Sequence, residues 1–291
     1  MENNHLGIAQ IAFVSDEQLS QDLIQDIEMF GYKKLISPPL SQHFIQFQNG
    51  KLSLHTKSGL QLKIDFTEKK YHRSFNPSKD LLCRACGWHL GYRQIWDLTA
   101  GLAVDSILLV QAGFQVLALE RNQNLVLLLR HALRDYQSST QFSVTASMNQ
   151  TLQPMSFSPT LVTTSNLTLP KSEMLAPNSK TKDDINSLTT IKFVWSEAES
   201  FLTQFRENEP LPEVIYYDPM YPAKNKTALP SKEMQILREL IGVNEEEPEI
   251  IQKALSLNVK RVVVKRPLKA NVILEKPKFQ LSSKLVRYDI Y

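Results

Sequence analysis

Alternation of short apolar segments with amphipathic ones, from residue 94 onward, is the feature that most limits the fold of this chain. Gln94–Leu98 and Phe114–Leu119 predict buried strands. Between them Asp105–Ala112 has helical spacing and ends at Gly113, and a further helix is predicted from Gln123 to Tyr136. Strands that alternate with helices favour a parallel, doubly wound sheet, because a helix returns the chain between successive parallel strands.

The same alternation resumes near residue 190. The predicted strands are Ile191–Trp195, Glu213–Tyr217 and Val259–Lys265, and the predicted helices are Glu197–Phe205, Ser231–Ile241 and Pro248–Leu257. The segments Phe279–Leu281 and Leu285–Tyr291 are expected to close the sheet as an antiparallel pair. The interval of about 147–190 is rich in Ser, Thr and Pro, so we expect a long, partly disordered surface insertion. One strand near Thr160–Thr164 is the alternative.

The first 75 residues predict a small α+β domain, followed by the main domain at 76–291. Ile8–Val14 is a predicted strand and Asp16–Met29 a predicted helix, with Ser15 as its N-cap. Three alternating runs then indicate an antiparallel meander: His43–Phe47, Lys51–His55 and Leu60–Asp65. The pair Asn49-Gly50 is typical of a hairpin turn between such runs. A helix over about Pro77–Gly87 is expected to open the main domain.

Scarcity of glycine narrows the choice of cofactor. The chain has 9 glycines in 291 residues and none between positions 114 and 241. In the first strand-to-helix turn, Asp97–Asp105, Gly101 is the single glycine, whereas a dinucleotide fingerprint needs several for close approach to a pyrophosphate. The turn therefore favours a ligand without a pyrophosphate, with Asp97 and Gly101 as candidate contacts.

Two further predicted strands are followed by residues that could bind a cofactor or a substrate amine. Glu120-Arg121 follows the second strand, where a carboxylate can accept hydrogen bonds from both ribose hydroxyls of a cofactor. The run Asp218–Pro222 follows a later strand, and its two prolines predict a rigid, non-helical turn. There the Asp218 carboxylate and the Pro219 carbonyl could accept hydrogen bonds from an exocyclic amine, while Tyr221 could stack on a flipped base.

Basic residues cluster near these strand ends, although the net charge is only +3. Any one cluster alone is explained by a solvated surface, but clusters that converge on one face suit a phosphate backbone and indicate a nucleic-acid partner. The candidate RNA-binding residues are Arg73, Lys224, Lys226, Lys265 and Arg266.

The remaining signals concern the compartment and metals. Cys83 and Cys86 are the only cysteines, which suits a reducing compartment, and we expect them to be packed helix residues rather than metal ligands. No apolar stretch approaches the roughly 18 residues of a membrane span, and the N-terminal residues lack the pattern of a signal peptide. We therefore expect a cytoplasmic protein.

Four segments together resemble the ribosomal RNA small subunit methyltransferase J family. They are Asp97–Asp105, Glu120-Arg121, Pro212–Pro222 with the following Lys224, Lys226 and Lys232–Met234, and Lys265–Pro267, with a further likeness at Arg287–Tyr291. The resemblance implies a class I S-adenosylmethionine-dependent methyltransferase, with a mostly parallel sheet whose last strand is reversed. It implies cofactor contacts at Asp105, Glu120, Arg121, Glu197, Ala198 and Asp218, and methyl transfer to the N2 amine of a guanine in 16S rRNA.

This sequence departs from the family pattern at two places. Ala103-Val104 stands where the family has Gly-Arg, and Glu197-Ala198 stands where it has small polar residues. The alternatives are an amino methyltransferase on another base such as adenine in DNA, an NAD-dependent oxidoreductase, and a non-catalytic RNA-binding protein of the same fold. Whether free 16S rRNA or the assembled small subunit is the substrate stays open.

Overall fold

A computed structural model describes residues 12–39, 42–145, 190–205, 210–220, 231–242, 248–274 and 277–291. Nearly all of the predicted insertion at 147–190 lies outside these residues, including the alternative strand at Thr160–Thr164. Tyr221, Lys224 and Lys226 also lie outside them. Across the described ranges, no helix is long and apolar enough to cross a membrane.

The N-terminal part of the chain forms a five-stranded sheet. Its elements are β1 (Ala12–Val14), α1 (Gln21–Met29), β2 (Lys33–Leu35), β3 (Phe44–Gln48), β4 (Lys51–His55) and β5 (Gln61–Leu62), in the strand order β2-β1-β3-β4-β5. Strands β3, β4 and β5 form the predicted antiparallel meander, whereas β1 pairs in parallel with both β2 and β3.

The start of α1 differs from the prediction. The helix begins at Gln21, and its N-cap is Ser20, whose Oγ accepts a hydrogen bond from the Leu23 N–H at 3.3 Å. Ser15, the predicted N-cap, instead accepts from the Glu17 N–H at 3.1 Å, in a turn before the helix. The prediction was wrong because serine makes the same local hydrogen bond in a turn as at a helix start.

Residues 81–290 contain a seven-stranded sheet and six helices within the described segments. The elements are α2 (Leu81–Ala85), β6 (Gln94–Asp97), α3 (Val104–Gln111), β7 (Gln115–Glu120), α4 (Gln123–Thr145), β8 (Ile191–Trp195), α5 (Ala198–Gln204), β9 (Val214–Tyr217), α6 (Lys232–Ile241), α7 (Pro248–Ser256), β10 (Arg261–Pro267), β11 (Phe279–Ser282) and β12 (Val286–Ile290). The strand order is β11-β12-β10-β9-β6-β7-β8. Strand β12 is antiparallel to both of its neighbours, as expected for a reversed last strand, and the pairs from β10 to β8 are parallel.

The central strand β9 shows why this sheet has helices on both sides. All four of its residues are buried, and successive side chains point to opposite faces. Val214 and Tyr216 pack into an apolar cluster with residues of α2, α3, α4 and α6, whereas Ile215 and Tyr217 pack into a second cluster with α5 and α7. The carboxyl ends of β6, β7, β8, β9 and β10 therefore meet at one edge of a sheet that is covered on both faces.

The N-terminal sheet packs against α4. Its inward side chains, such as Phe13 and Ile45, join the same apolar cluster as the buried face of α4. Asp26 of α1 is only 5% exposed, and it accepts hydrogen bonds from Arg130 at 2.8 Å and from Arg134 at 2.7 Å. The division into domains at residue 75 stays a prediction.

Replacing Asp26 by Ala should destabilise the protein by about 2 kcal/mol, because it leaves two partly buried guanidinium groups without their carboxylate. Urea unfolding followed by circular dichroism measures this change. The matched control is Glu28→Ala on the same helix, where the side chain is exposed. An equal, small effect of both variants would contradict the importance of the Asp26 ion pairs.

Candidate active site

A cleft lies at the carboxyl edge of the seven-stranded sheet. It encloses about 570 Å³, part of it open to solvent, which is in the range of small-molecule sites. Six of the predicted cofactor residues line it: Gly101, Glu120, Arg121, Glu197, Ala198 and Asp218. The sequence placed them in four separate segments, and parallel strand pairing brings those segments together.

The other two predicted cofactor residues, Asp97 and Asp105, are not part of the cleft lining. Asp97 is buried, and its carboxylate accepts hydrogen bonds from the Thr99 N–H at 3.0 Å and from the Ser106 hydroxyl. Burial raises the pKa of Asp97 to about 7, although both hydrogen bonds oppose the rise. Asp97 therefore supports the turn that forms the cleft wall. Sequence reasoning missed Ser106, since a buried serine in a helix has no distinctive spacing.

Glu120, at the end of β7, is held by the backbone on both sides. Its Oε2 accepts from the Gly101 N–H at 2.9 Å, and its Oε1 accepts from the Asn122 N–H at 2.8 Å. Burial raises the pKa of Glu120 to about 7, against the lowering effect of these two N–H groups. Each carboxylate oxygen keeps a second lone pair, so the group can still accept hydrogen bonds from a ligand.

Gly101 contributes open space as well as a hydrogen bond. It has φ +53°, and a Cβ there would meet only the Thr99 carbonyl oxygen, at 3.9 Å. The opposite walls of the cleft are apolar and include Leu98, Met220, Ile241 and Ile250. Arg121 donates to the Ile241 carbonyl at 2.8 Å and thus ties the end of α6 to the end of β7.

Asp218 follows β9 directly and lies beside the first turn. Its N–H donates to the Thr99 Oγ1 at 2.7 Å, and its Oδ2 accepts from the Lys265 ammonium at 2.8 Å. Burial raises the pKa of Asp218 to about 6; Lys265 opposes the rise, and the nearby Asp105 adds to it.

Asp105, at the start of α3, is held by two donors. Its Oδ2 accepts from the Tyr216 hydroxyl at 2.6 Å and from Lys265 at 2.7 Å. Tyr216 is buried in β9. The role of its hydroxyl could not be predicted, because an apolar strand accommodates tyrosine as an ordinary core residue.

The structure places two predicted RNA-binding residues differently from the sequence analysis. Lys265 lies between Asp105 and Asp218 rather than on an open surface. Arg266 is 1% exposed, and its guanidinium donates to the Asn271 carbonyl at 2.5 Å, because strand alternation turns it to the opposite face from Lys265. A phosphate cannot reach a side chain that is buried in this way, so this placement argues against the predicted contact.

Arg73 is exposed and donates to Asp80 at 2.7 Å, the N-cap residue of α2, and none of its described contacts reaches the cleft. Cys83 and Cys86 are both buried at α2, as expected for packed helix cysteines, and burial raises the pKa of the Cys86 thiol. Across the described residues, no three His, Cys, Asp or Glu side chains are grouped so that they could hold a metal ion.

Comparisons with known proteins agree with this architecture. A family model described as "Putative SAM-dependent methyltransferase" matches residues 29–170 and 176–291. The ribosomal RNA small subunit methyltransferase J of Bdellovibrio bacteriovorus is 34% identical over 238 residues, which cover 79% of this chain and 73% of that protein. The protein of the same name from Legionella pneumophila is 31% identical over 242 residues, 83% of this chain and 80% of that one.

A solved structure shows the same fold. The crystal structure of a SAM-dependent methyltransferase from Neisseria gonorrhoeae matches with a TM-score of 0.61 and 22% identity, over 96% of this chain and 94% of that one. The fold and the matched model define a class I S-adenosylmethionine-dependent methyltransferase, and S-adenosylmethionine is the cofactor. The chain belongs to the ribosomal RNA small subunit methyltransferase J family. The alternative of an NAD-dependent oxidoreductase is wrong.

The residues of the cleft fit this cofactor. A fixed carboxylate at Glu120 suits a ribose diol, apolar walls suit an adenine ring, and the open space over Gly101 suits close approach of a ligand. No phosphate-binding glycine loop is needed, since the cofactor has no phosphate.

Ala103-Val104, which replaces the Gly-Arg of the family pattern, puts an alanine at a backbone position that favours glycine. Ala103 has φ 59°, in the left-handed region that favours glycine, and it is 0% exposed. The glycine of the family pattern therefore fits the backbone that this chain also adopts. Val104, the first residue of α3, is exposed.

Replacing Ala103 by Gly should change the free energy of unfolding by less than about 1 kcal/mol, because relief of the left-handed strain offsets the lost burial of a methyl group. The matched Ala103→Val should cost more than about 2 kcal/mol, because a β-branched residue is both strained and overpacked there. Urea unfolding of both variants measures the difference. Equal stability of the two would contradict the backbone explanation.

Proposed function

We propose that this protein transfers the methyl group of S-adenosylmethionine to the N2 amine of a guanine in 16S rRNA. The observation that carries the proposal is Asp218, which follows β9 directly and lines the cofactor cleft, with its Oδ2 held by Lys265. The family to which the chain belongs, and the names of its relatives from Bdellovibrio and Legionella, support ribosomal RNA of the small subunit as the substrate.

Methyl transfer to the N2 amine needs a hydrogen-bond acceptor at the position of Asp218. The guanine N2 amine is a weak nucleophile, because its lone pair is delocalised into the ring. An ionised Asp218 and the carbonyl of Pro219 would each accept one amine hydrogen, which localises the lone pair and fixes its direction. As the N–C bond forms and the S–C bond breaks, the Asp218 carboxylate would stabilise the positive charge developing on N2 and accept the proton that the amine loses. Catalysis would then depend mainly on positioning.

The cofactor supplies a methyl group on a sulfonium, which is already electrophilic. Glu120 would hold the ribose hydroxyls, while Leu98, Ile241 and Ile250 would enclose the adenine ring. Arg121 supports this wall through its hydrogen bond to the Ile241 carbonyl. The pairing of Gly101 with Glu120 fixes both before the ligand arrives, so little ordering is needed on binding.

The proposed RNA contacts are one aromatic side chain and several basic ones. Tyr221 would stack on the extruded guanine, and Lys224 and Lys226 would hold phosphates; all three lie outside the described residues. Arg73 is exposed and could contribute to a phosphate surface, whereas Lys265 and Arg266 are better explained by their contacts within the fold.

Replacing Asp218 by Ala should lower the rate of methyl transfer by about 100-fold or more, because the amine loses its acceptor. The assay uses radiolabelled S-adenosylmethionine and unmodified small subunits or 16S rRNA, with the modified nucleotide identified by mass spectrometry. Binding of S-adenosylhomocysteine, measured in parallel by calorimetry, separates the loss of the amine acceptor from any loss of cofactor affinity. Full activity of the variant would overturn the proposed role, and a methylated adenine would replace the proposed substrate base.

Replacing Glu120 by Gln should weaken S-adenosylhomocysteine binding about tenfold at pH 8. An ionised carboxylate is the stronger acceptor for ribose hydroxyls, and the pKa of about 7 predicts that wild-type affinity falls as pH drops below 7. Glutamine cannot titrate, so its affinity should depend less on pH. Calorimetry at pH 6 and pH 8 measures both effects. The same pH dependence in both proteins would exclude Glu120 as its source.

A further inference from the structure

We propose that Lys265 is a positioning residue of the methyl transfer, which fixes the orientation of Asp218 and compensates its charge, rather than a ligand of RNA phosphates. This inference rests on the proposed function, because it assigns a partner to the carboxylate that would accept the amine.

The first support is the geometry around the ammonium group. Nζ of Lys265 lies 2.8 Å from Oδ2 of Asp218 and 2.7 Å from Oδ2 of Asp105, and the side chain is 22% exposed. Two of its three hydrogen-bond donors are therefore already used by carboxylates of this chain. Two short ion pairs within the fold therefore already orient this ammonium and balance its charge.

The second support is the strand register, which places this lysine beside Asp218. Strands β10 and β9 are parallel with Val264 opposite Tyr217, so the next residues, Lys265 and Asp218, are neighbours. On the other side Lys265 pairs with Tyr288 of β12. By strand alternation Lys265 and Asp218 point to the face that carries α3, and Asp105 lies in the first turn of that helix.

The third support is the balance of charge. Asp105 and Asp218 both lie within hydrogen-bond distance of one ammonium, so without Lys265 two carboxylates would face each other in a half-buried site. Among the residues that the structure describes, the other ionisable groups that face the cluster are Asp97 of β6, Tyr216 of β9, Tyr288 of β12 and Cys86, which follows α2. None of them is a cation at neutral pH, so Lys265 supplies the compensating charge.

A chemical consequence follows for Asp218. Lys265 holds Oδ2, so Oδ1 is the oxygen that would accept the amine hydrogen, and the ammonium also favours the ionised form of Asp218 that must accept it. Burial raises the pKa of Asp218 to about 6 even with Lys265 present, and Lys265 lowers it. Loss of the ammonium should therefore raise this pKa further, above neutral pH.

The test is the pH dependence of kcat for methyl transfer to unmodified small subunits. In the wild type we expect the rate to fall below about pH 6. This fall in rate at low pH is the acidic limb of the profile. In Lys265→Met the midpoint of the acidic limb should rise by about two pH units, because an adjacent opposite charge shifts a carboxyl pKa by about 1–3 units. The rate at pH 7 should then fall about tenfold and recover largely by pH 9.

Two other variants sharpen the test. Lys265→Arg keeps the charge, so its limb should stay near pH 6. Asp105→Asn removes the neighbouring carboxylate that raises the pKa of Asp218, so its limb should move in the opposite direction, to lower pH. Each effect is a shift in the midpoint pH of the rate profile, so it can be measured even where the absolute rate falls. If Lys265→Met does not fold, these two variants still test the inference.

The matched control is Lys70→Met. Lys70 is 25% exposed and also bridges two carboxylates, Glu233 at 2.5 Å and Glu68 at 3.1 Å, away from the cleft lining. Its removal should leave the limb near pH 6, which separates the local effect on Asp218 from a general effect of losing a bridging lysine.

The outcomes decide between the roles. A limb that moves up in Lys265→Met, with kcat lowered and KM for rRNA unchanged, supports positioning. An unchanged limb with a raised KM indicates a phosphate contact and overturns the inference. An unchanged limb in both Lys265→Met and Asp105→Asn also overturns it. A wild-type protein that methylates no rRNA instead overturns the proposed function, and the inference with it.

Discussion

Burial of the seven-stranded sheet on both faces is the constraint on which the rest of this structure depends. Strand β9 has four buried residues and helices on either side. An unpaired polar group in the middle of such a strand would lose its hydration without compensation, at a large cost in free energy. Polar chemistry is confined to the strand ends, where Asp97, Glu120 and Asp218 stand. Five parallel strand ends meet at one edge, which places Glu120 and Asp218 in a single partly desolvated cleft and Asp97 in the turn that forms its wall.

The same burial explains the electrostatics of the cleft. Carboxylates close to a covered sheet lose hydration, and their pKa values rise toward neutral pH unless hydrogen bonds or a cation oppose the shift. Glu120 is opposed by two backbone N–H groups and Asp218 by one lysine. The pKa of Glu120 therefore depends on backbone N–H groups, including one in the turn after β6. The pKa of Asp218 depends on a side chain of β10.

Much of the fold could be predicted from the sequence, because apolar periodicity and turn residues are local signals. The strand Ile191–Trp195 and the meander of β3, β4 and β5 match their predicted positions closely. The N-cap of α1 could not be predicted, since Ser15 and Ser20 offer the same local hydrogen bond. Lys265 and Arg266 are adjacent basic residues with the same signal in the sequence. Strand alternation places Lys265 beside Asp218 and buries Arg266 on the opposite face.

The sequence by itself determined the class of the protein and the segments that carry its chemistry, since strand ends, prolines and glycines leave signals at fixed positions. Only the tertiary structure decided which of those residues meet. Gly101 meets Glu120, Thr99 meets Asp218, and Tyr216 and Lys265 meet at Asp105. These partners are separated by 19 to 160 residues along the chain, and only strand pairing and helix packing bring such distant side chains within hydrogen-bond distance.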